Sequence, residues 1–488
     1  MKRSFALAAV TLAAAMPFSA GAQSLTNLAH QPPDGAYITM QMTDGTVIAQ
    51  GGNLNDWWKL TPDNTGSYKN GTWTQLATLP SGYAPYAMAE AVLADGRLVI
   101  SGGEYNETFS CCQFTNQSAI YDPLKDKWTM IKPPAGWSNI GDAPSIVLPD
   151  GRFVVGYKFR TKMAALDPAT LTWSPLTSTG KNGNMIAEEG WVLLPDGTFL
   201  TVDVKAHPKS ERYYPKTGAW FNEGDTASVD LRGPQNCCGT CIPYGRHDKK
   251  CYDPPGETGA AVRRPDGTVF ATGSIPDGQS TAHTAIWTPP AKGKKGTWTA
   301  GPDFPNGDQS YDSPVSILPD GNVLVEGANS GELYEFDGTK LNTTSLSGGG
   351  SLMPLPTGEV LVGGYAVYKS TGTYNAAWAP AITSSPPTVT RGDTYKISGT
   401  QFNGLNQGAA FGDEFDTHTN YPLARITITA SGHVFYCRTH DHSTMGVATG
   451  SKTVSTKFDV PSGMETGAGQ LEIVANGIPS PAVGITVQ

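Results

Sequence analysis

Near its C-terminus the chain carries a dense group of side chains that can bind metals or transfer protons. The stretch HVFYCRTHDHSTMGV, residues 433–447, holds three histidines, a cysteine, a tyrosine and an aspartate. His440 and His442 are two positions apart, so on a β-strand they share one face. Such imidazoles favour zinc or another transition metal. The same residue types also suit a hydrogen-bonded turn that joins two domains.

Acidic residues recur at a fixed distance before Asp-Gly turns elsewhere in the chain. Asp142, Glu188 and Asp312 each stand eight residues before such a turn, and Glu189 and Glu257 lie next to equivalent positions. If the repeats are symmetric, these carboxylates meet in a small volume. Like charges at close range raise one another's pKa or require a cation, and clustered oxygens suit a hard cation such as Ca²⁺ or Mg²⁺. Alternatively, the acids cap loops by accepting backbone N–H bonds.

The elements that must position these residues form a repeat. An apolar strand, a tight turn and a second apolar strand occur seven times, as in AEAVLADGRLVISGG and PVSILPDGNVLVEG. Asp-Gly between β-rich runs is the strongest short hairpin signal. The seven turns stand at Asp44, Asp95, Asp150, Asp196, Asp266, Asp320 and Thr357.

A second sequence pattern follows six of the hairpins and predicts an outer strand. It is a Trp or apolar residue, a polar residue and then a turn, as in KWTMIKPPAG. The seventh outer strand is SLTNLAHQPPDG, residues 24–35, at the other end of the chain. We therefore predict an all-β fold: a seven-bladed β-propeller closed by the N-terminal strand, followed by an immunoglobulin-like β-sandwich. Residues 23–378 are the predicted propeller and 379–488 the predicted sandwich.

The first 22 residues read as a cleavable signal peptide, with two basic residues, an apolar run and the small residues Ala20-Gly21-Ala22. We expect a secreted or periplasmic protein without a membrane span. Removing Lys2 and Arg3 leaves 32 basic against 43 acidic residues, a formal charge of −11. This acidity argues against nucleic acid as a partner. We expect a monomer.

Seven cysteines make disulfides the default in an exported chain, with one thiol left over. Cys437 is the odd one. Four of the cysteines, Cys237 to Cys251, lie in an insertion between the fourth and fifth hairpins, and zinc binding is the alternative to disulfides there. The disulfide candidates are Cys111, Cys112, Cys237, Cys238, Cys241 and Cys251.

The repeated LPDG hairpins, the GG after several of them and the ending VPSGMETGAGQLEIVANGIPSPAVGITV resemble the galactose oxidase family, a Kelch-like propeller with an early-set domain. The resemblance implies a copper-radical site made from the second, third and seventh repeats and a C-terminal hairpin. In this chain those positions hold Ala87, Asp142 and the pair Gly348-Gly349, and the hairpin position falls near Tyr436. The copper-radical ligands are therefore not expected to be kept.

Three hypotheses remain. The first is an enzyme acting on a carbohydrate or small polyol by hydrolysis or elimination, with Asp142, Glu188, Glu257 and Asp312 as catalytic acids and bases. Its pocket would hold calcium or zinc in preference to copper, at the junction of the two domains. The second is a non-catalytic module that binds glycans or proteins. The third is a copper oxidase of alcohols or aldehydes. The proposed metal ligands are Asp142, Glu188, Asp312, His440 and His442, and the copper hypothesis adds Tyr311 and Tyr436 to the two histidines.

Overall fold

The computed structural model of the protein describes residues 22–109, 113–234, 256–291, 295–411 and 418–488. In these ranges nearly every regular element is a β-strand, and the two exceptions are the 3-10 turns Pro305–Gly307 and Ala376–Trp378. The strands build seven blades and a C-terminal sandwich, which confirms the predicted fold class.

Each blade has four antiparallel strands that lie side by side from the axis outward. Blade one has Thr39–Gln41, Val47–Gln50, Trp57–Thr61 and Thr72–Gln75. Blade two has Ala89–Val92, Leu98–Ser101, Ser118–Asp122 and Lys127–Ile131. Blade three has Ser145–Val147, Phe153–Gly156, Met163–Asp167 and Thr172–Leu176. Blade four has Val192–Leu193, Phe199–Val202, Lys209–Tyr214 and Ala219–Asp225.

The remaining three blades follow the same order. Blade five has Ala261–Arg263, Val269–Thr272, Thr284–Thr288 and Thr297–Ala300. Blade six has Val315–Ile317, Val323–Glu326, Glu332–Phe336 and Leu341–Ser347. Blade seven has Leu352–Pro354, Val360–Val362, Ala366–Lys369 and, as its outermost strand, Ser24–Asn27. A small extra hairpin in blade two pairs Pro85–Tyr86 with Tyr105–Asn106.

The N-terminal strand closes the ring as predicted. Ser24 lies opposite Lys369 and Asn27 opposite Ala366 in an antiparallel ladder. The innermost strand of blade seven also packs beside that of blade one. The pairing covers the edge that would otherwise stay open on the last blade.

The burial pattern explains why each repeat reads as it does. In blades one to five the second strand is buried along its whole length, whereas the outermost strand of blade one is mostly exposed. Strands with both faces covered require continuous apolar runs. At the turns, the aspartate accepts the N–H two residues later, as Asp44 does from Thr46 at 3.0 Å, and the glycine takes a positive φ, 76° at Gly45.

The C-terminal part forms a sandwich of two sheets around a core that includes Ile397, Ile426 and Phe458. One sheet contains Ala381–Ser384, Thr394–Thr400, Val454–Asp459 and Thr439–His440. The other contains Thr388–Val389, Val483–Val487, Gly467–Ala475, Leu423–Ile428 and Val434–Cys437, with Ile478–Pro479 paired to Gly467–Ala475.

One segment of the C-terminal part enters the propeller. Ala409–Ala410 pairs antiparallel with the innermost strand of blade six. The Gln407 side chain accepts the Leu193 N–H of blade four at 2.7 Å, and the buried Tyr421 hydroxyl donates to the Gln41 carbonyl of blade one. The inserted segment therefore touches three blades.

Candidate functional site

Four predicted acidic residues lie together where the chain enters the innermost strands. Lys158 Nζ forms ion pairs with the carboxylates of Asp142 and Glu188. Glu257 shares a side-chain hydrogen bond with Asp312, and the Glu188 charge also acts on Glu257. Blades three to six each contribute one of these acids, which is what the repeat symmetry predicted.

Lys158 supplies the cation that this group of acids requires. It follows the second strand of blade three, its backbone N–H donates to Ile140 O at 3.1 Å, and its side chain is only 2% exposed. Its Nζ lies 5.3 Å from the centre of the Phe114 ring, within cation–π range. Sequence reasoning expected a metal ion at this place and missed this lysine. The only signal for it was the general need for a positive charge beside clustered carboxylates.

Burial shifts the protonation of the acids toward the neutral form. Desolvation, followed by the Glu188 charge, raises the pKa of Asp142 well above its usual range, and Lys158 opposes the shift. Desolvation and the neighbouring Asp312 raise the pKa of Glu257 in the same way. Carboxyl groups of this kind hold a proton at a pH where ordinary carboxylates have lost it. They are therefore suited to general acid or base chemistry.

Two carboxylate oxygens in this group have no hydrogen-bond partner among the described residues. They are Asp142 Oδ1, on a side chain 4% exposed, and Glu257 Oε2. Buried polar atoms are nearly always hydrogen-bonded, so these two acceptors need a donor such as a bound water or a ligand.

The backbone before the innermost strands repeats an unusual conformation. In blades two to six a residue with positive φ lies two to five positions before the first residue of the innermost strand. These residues are Ala87 (51°), Gly141 (80°), Ala187 (55°), Gly256 (84°) and Tyr311 (49°). The left-handed region costs a non-glycine residue about 1 kcal/mol or more. Asp142, Glu188, Glu257 and Asp312 each follow such a residue directly, so the same turn presents all four acids.

The two predicted histidine ligands lie at the other end of the innermost strands. In blade three, Asp142 precedes the strand Ser145–Val147, whereas the Met445 N–H bonds to Pro149 O beyond its far end. The His442 N–H likewise donates to Ala94 O, next to the turn of blade two. The structure thus brings the four acids together and does not bring His440 and His442 to them, so the acids do not lie at the junction with the sandwich.

The two histidines also fail to share a face. Asp441, between them, has a φ of 52°, which breaks the strand alternation on which that prediction rested. His440 Nε2 pairs with Asp459 at 3.1 Å, whereas His442 Nδ1 bonds to Thr456 Oγ1 at 2.8 Å. Burial lowers the pKa of His442 to about 3, so its imidazole is neutral. Both side chains therefore bond to residues of the C-terminal part, and the contact with the blade-two turn is made by the backbone N–H of His442.

Copper does not fit the residues at the family positions. Ala87 and Gly349 offer no donor, Asp142 is bound to Lys158, and Tyr436 lies over Gly45 of the blade-one turn. The segment that does enter the propeller carries a different histidine, His418, whose ring contacts the Gln407 amide at 3.1 Å. Within the described ranges, no group of three or more His, Cys, Asp or Glu side chains is arranged to hold a metal ion.

The cysteine predictions fall mostly outside the described residues. Cys111, Cys112, Cys237, Cys238, Cys241 and Cys251 all lie there. Cys437 is described, and in that part of the chain it is a free thiol buried in the sandwich core. Burial raises the pKa of this thiol, which leaves it protonated and unreactive.

A second buried lysine lies beside the acidic group in blade four. Lys181 Nζ contacts Glu189 at 2.8 Å, Asp203 at 2.9 Å and Glu211 at 2.6 Å, and all four side chains are at most 1% exposed. This cluster explains Glu189, which sequence reasoning placed next to the site. Its full burial and complete pairing give it a structural role in blade four.

Comparison with known proteins gives the fold and little more. No family model matches the chain. A Kelch-like protein, terF, of Aspergillus terreus (strain NIH 2624 / FGSC A1156) is 30% identical over 128 residues, 26% of this chain. The match spans only about a quarter of that relative, 25% of its length.

Among solved structures, a fungal alcohol oxidase of the AA5 family in complex with copper has a TM-score of 0.50. It is 12% identical, and the alignment covers 96% of this chain and 100% of that one. A streptogramin B lyase has a TM-score of 0.45, with 10% identity over 71% of this chain and 97% of that one. The fold therefore resembles that of galactose oxidase-like proteins.

The remaining predictions concern location and partners. No helix in the described part of the chain has the length and apolar character needed to cross a bilayer. The predicted signal segment lies almost wholly outside the described residues.

Proposed function

We propose that this chain is an exported galactose oxidase-like propeller protein that acts on a carbohydrate through the acids around Lys158. Residues 1–22 would be the signal peptide, 23–378 the propeller and 379–488 the early-set domain. The resemblance in fold, the Kelch-like relative and the acidic charge of the chain support this proposal.

The observation that carries the proposal is the convergence of four acids from four blades on one buried lysine. Their environments differ. Asp142 and Glu188 form ion pairs with Lys158, whereas Glu257 is hydrogen-bonded to Asp312, and burial together with Asp312 raises the pKa of Glu257 well above its usual range. Groups pushed apart in this way divide the tasks of proton donor and proton acceptor.

In this scheme the Glu257–Asp312 pair donates a proton to the leaving glycosidic oxygen. Glu188, held by Lys158, accepts a proton from water for hydrolysis or from a ring carbon for elimination. Asp142 accepts a hydrogen bond from a sugar hydroxyl through its buried, unpaired Oδ1. The hydroxyl of Tyr311, hydrogen-bonded to Glu257, orients that acid.

The test is a screen of purified mature protein on oligosaccharides, with reducing ends and ultraviolet-absorbing unsaturated products as readouts. Glu257→Gln should lower turnover by about a hundredfold or more, the usual contribution of a general acid. Asp150→Asn is the matched control, because Asp150 is an exposed acid of a hairpin turn at the other end of blade three. Equal turnover by Glu257→Gln and wild type would refute the assignment.

A binding module without catalysis is the second candidate, and the orphaned Asp142 Oδ1 favours it equally. Calorimetry on the same oligosaccharides separates the two, since a binding module gives heat without product. Elemental analysis of the same preparation tests the predicted calcium or zinc. Stoichiometric copper with peroxide formed from alcohols or aldehydes would replace both candidates by a copper oxidase.

A further inference from the structure

Four aromatic side chains form a partly exposed patch beside the acids. Tyr86 lies at the centre, with ring centroids 5.5 Å from Tyr37, 5.9 Å from Tyr105 and 5.3 Å from Phe109. Tyr37 is 38% exposed and Phe109 51% exposed. Three of the ring pairs meet edge to face, an arrangement that aromatic quadrupoles favour and that holds the rings in fixed orientations.

The patch stands on a rigid base formed by blades one and two. The small hairpin pairs Pro85 and Tyr86 with Asn106 and Tyr105. The Gln50 side chain of blade one donates to Pro85 O at 2.7 Å, which joins the two blades. Exposed rings on a fixed base lose little conformational freedom when a ligand stacks on them.

Glu104 connects the patch to the acidic site. Its N–H donates to Ala87 O at 2.9 Å, and it directly precedes Tyr105 of the patch. The charges of Lys158 and Glu188 act on Glu104, and the charge of Glu104 acts in turn on Asp142. The aromatic faces and the carboxylates therefore border one region at the strand-entry end of the propeller.

The chemistry of this region selects its ligand. The ammonium of Lys158 contacts the carboxylates of Asp142 and Glu188, its charge also acts on Glu104 and Glu257, and Asp312 is hydrogen-bonded to Glu257. An added positive charge favours the ionised forms of these carboxyl groups and is attracted to them. The electron-rich faces of aromatic rings attract cations and the positively polarised C–H groups of a sugar ring.

We propose that the ligand of this site is a pyranose bearing a free amino group, as in a glucosamine oligosaccharide. Its C–H face lies on Tyr37 and Phe109, and its ammonium donates to Glu104 and to the buried, unpaired Oδ1 of Asp142. This inference rests on the proposed function and specifies the class of carbohydrate.

The experiment measures binding of glucosamine trisaccharide, its N-acetylated counterpart and cellotriose by calorimetry near neutral pH. We expect the free amine to bind about fivefold more tightly than the two neutral sugars, the factor that a partly exposed ion pair with Glu104 gives. Phe109→Ala should weaken all three sugars, whereas Glu104→Gln should remove only the preference for the amine. Phe221→Ala, which removes a ring 53% exposed on the outermost strand of blade four, is the control and should change nothing.

The failures are distinguishable. Equal affinity for the amine and the neutral sugars refutes the cationic ligand but leaves a carbohydrate site. If Glu257→Gln lowers the affinity for the sugars and Phe109→Ala does not, the aromatic contact is refuted and the acids alone form the site. If none of the three sugars binds and no oligosaccharide is turned over, both this inference and the proposed function are wrong.

Discussion

Replacing Lys158 by methionine tests the acidic site most directly. The side chain is 2% exposed and its Nζ contacts two carboxylates that are also nearly buried, Asp142 and Glu188. Methionine keeps most of the volume and removes the charge. Breaking a buried ion pair by removing one partner destabilises a protein by about 3–5 kcal/mol, because the other charge stays buried without compensation.

The size of the effect on melting follows from chain length. Unfolding entropy near 60 °C is about 2.1 cal/mol/K per residue, so a chain of 488 residues has roughly 1 kcal/mol/K. A loss of about 3–5 kcal/mol then lowers the melting temperature by about 3–5 °C, if the chain melts as one unit. Lys125→Met is the control, since that lysine is 72% exposed and its pair with Asp122 contributes at most about 1 kcal/mol.

The pH dependence has a definite sign. Without Lys158, the pKa of Asp142 rises further above its unfolded value, because the lysine is the group that lowers it. A carboxyl with a raised pKa in the folded state lowers stability progressively as the pH rises from its unfolded pKa to its folded pKa. The melting deficit of Lys158→Met should therefore be larger at pH 8 than at pH 5, by differential scanning calorimetry.

Neutralising the partners should restore stability. The triple variant Lys158→Met, Asp142→Asn, Glu188→Gln should melt above the single variant, since replacing a whole buried ion pair is often neutral. A single variant that melts within 1 °C of wild type at pH 8 would show that the ion pairs of Lys158 do not stabilise the protein. A triple variant no more stable than the single one would show the same.

Three further outcomes are expected. Lys181→Met should lower the melting temperature at least as much as Lys158→Met, because it leaves three buried carboxylates unpaired. Burial raises the pKa of Glu326 to about 8, so Glu326→Gln should stabilise the protein relative to wild type above pH 8 and change little near pH 4. Equal pH profiles of melting for the two proteins would contradict that. Tyr421→Phe leaves the Gln41 carbonyl without its donor, so urea unfolding should show a loss of about 1–3 kcal/mol, and an unchanged midpoint would mean that water replaces the hydroxyl.

The repeat-based part of the fold could be read from the sequence because each signal is local. An Asp-Gly turn between buried strands specifies a hairpin wherever it occurs, and Asp44 and its counterparts behave alike. The closing strand Ser24–Asn27 followed from counting, since one blade lacked its outer strand. Repeat symmetry also predicted that Asp142 and Asp312 approach the same region.

Contacts between distant loops could not be read in this way. Lys158 lies in a loop whose sequence, GYKFRTK, carries no repeat signal. The segment at Ala409–Ala410 enters the propeller, whereas the sequence pointed to the neighbourhood of Tyr436, because pairing across domains depends on tertiary docking and not on local propensity. The positive φ of Asp441 separated His440 from His442, and a single strained residue is invisible to strand periodicity.

The pairing of Ser24 with Lys369 has a consequence for how the molecule is made and handled. These partners are separated by 345 positions, so the strand Ser24–Asn27 cannot pair until the chain has been synthesised beyond Lys369. Contacts of such long range form late and slowly. Until then the outer edge of blade seven is an open template for a neighbouring chain. A fusion partner joined directly ahead of Ser24 would lie beside the ladder that closes the ring and could disturb its pairing. A fusion partner joined after Gln488 would be attached to the sandwich instead.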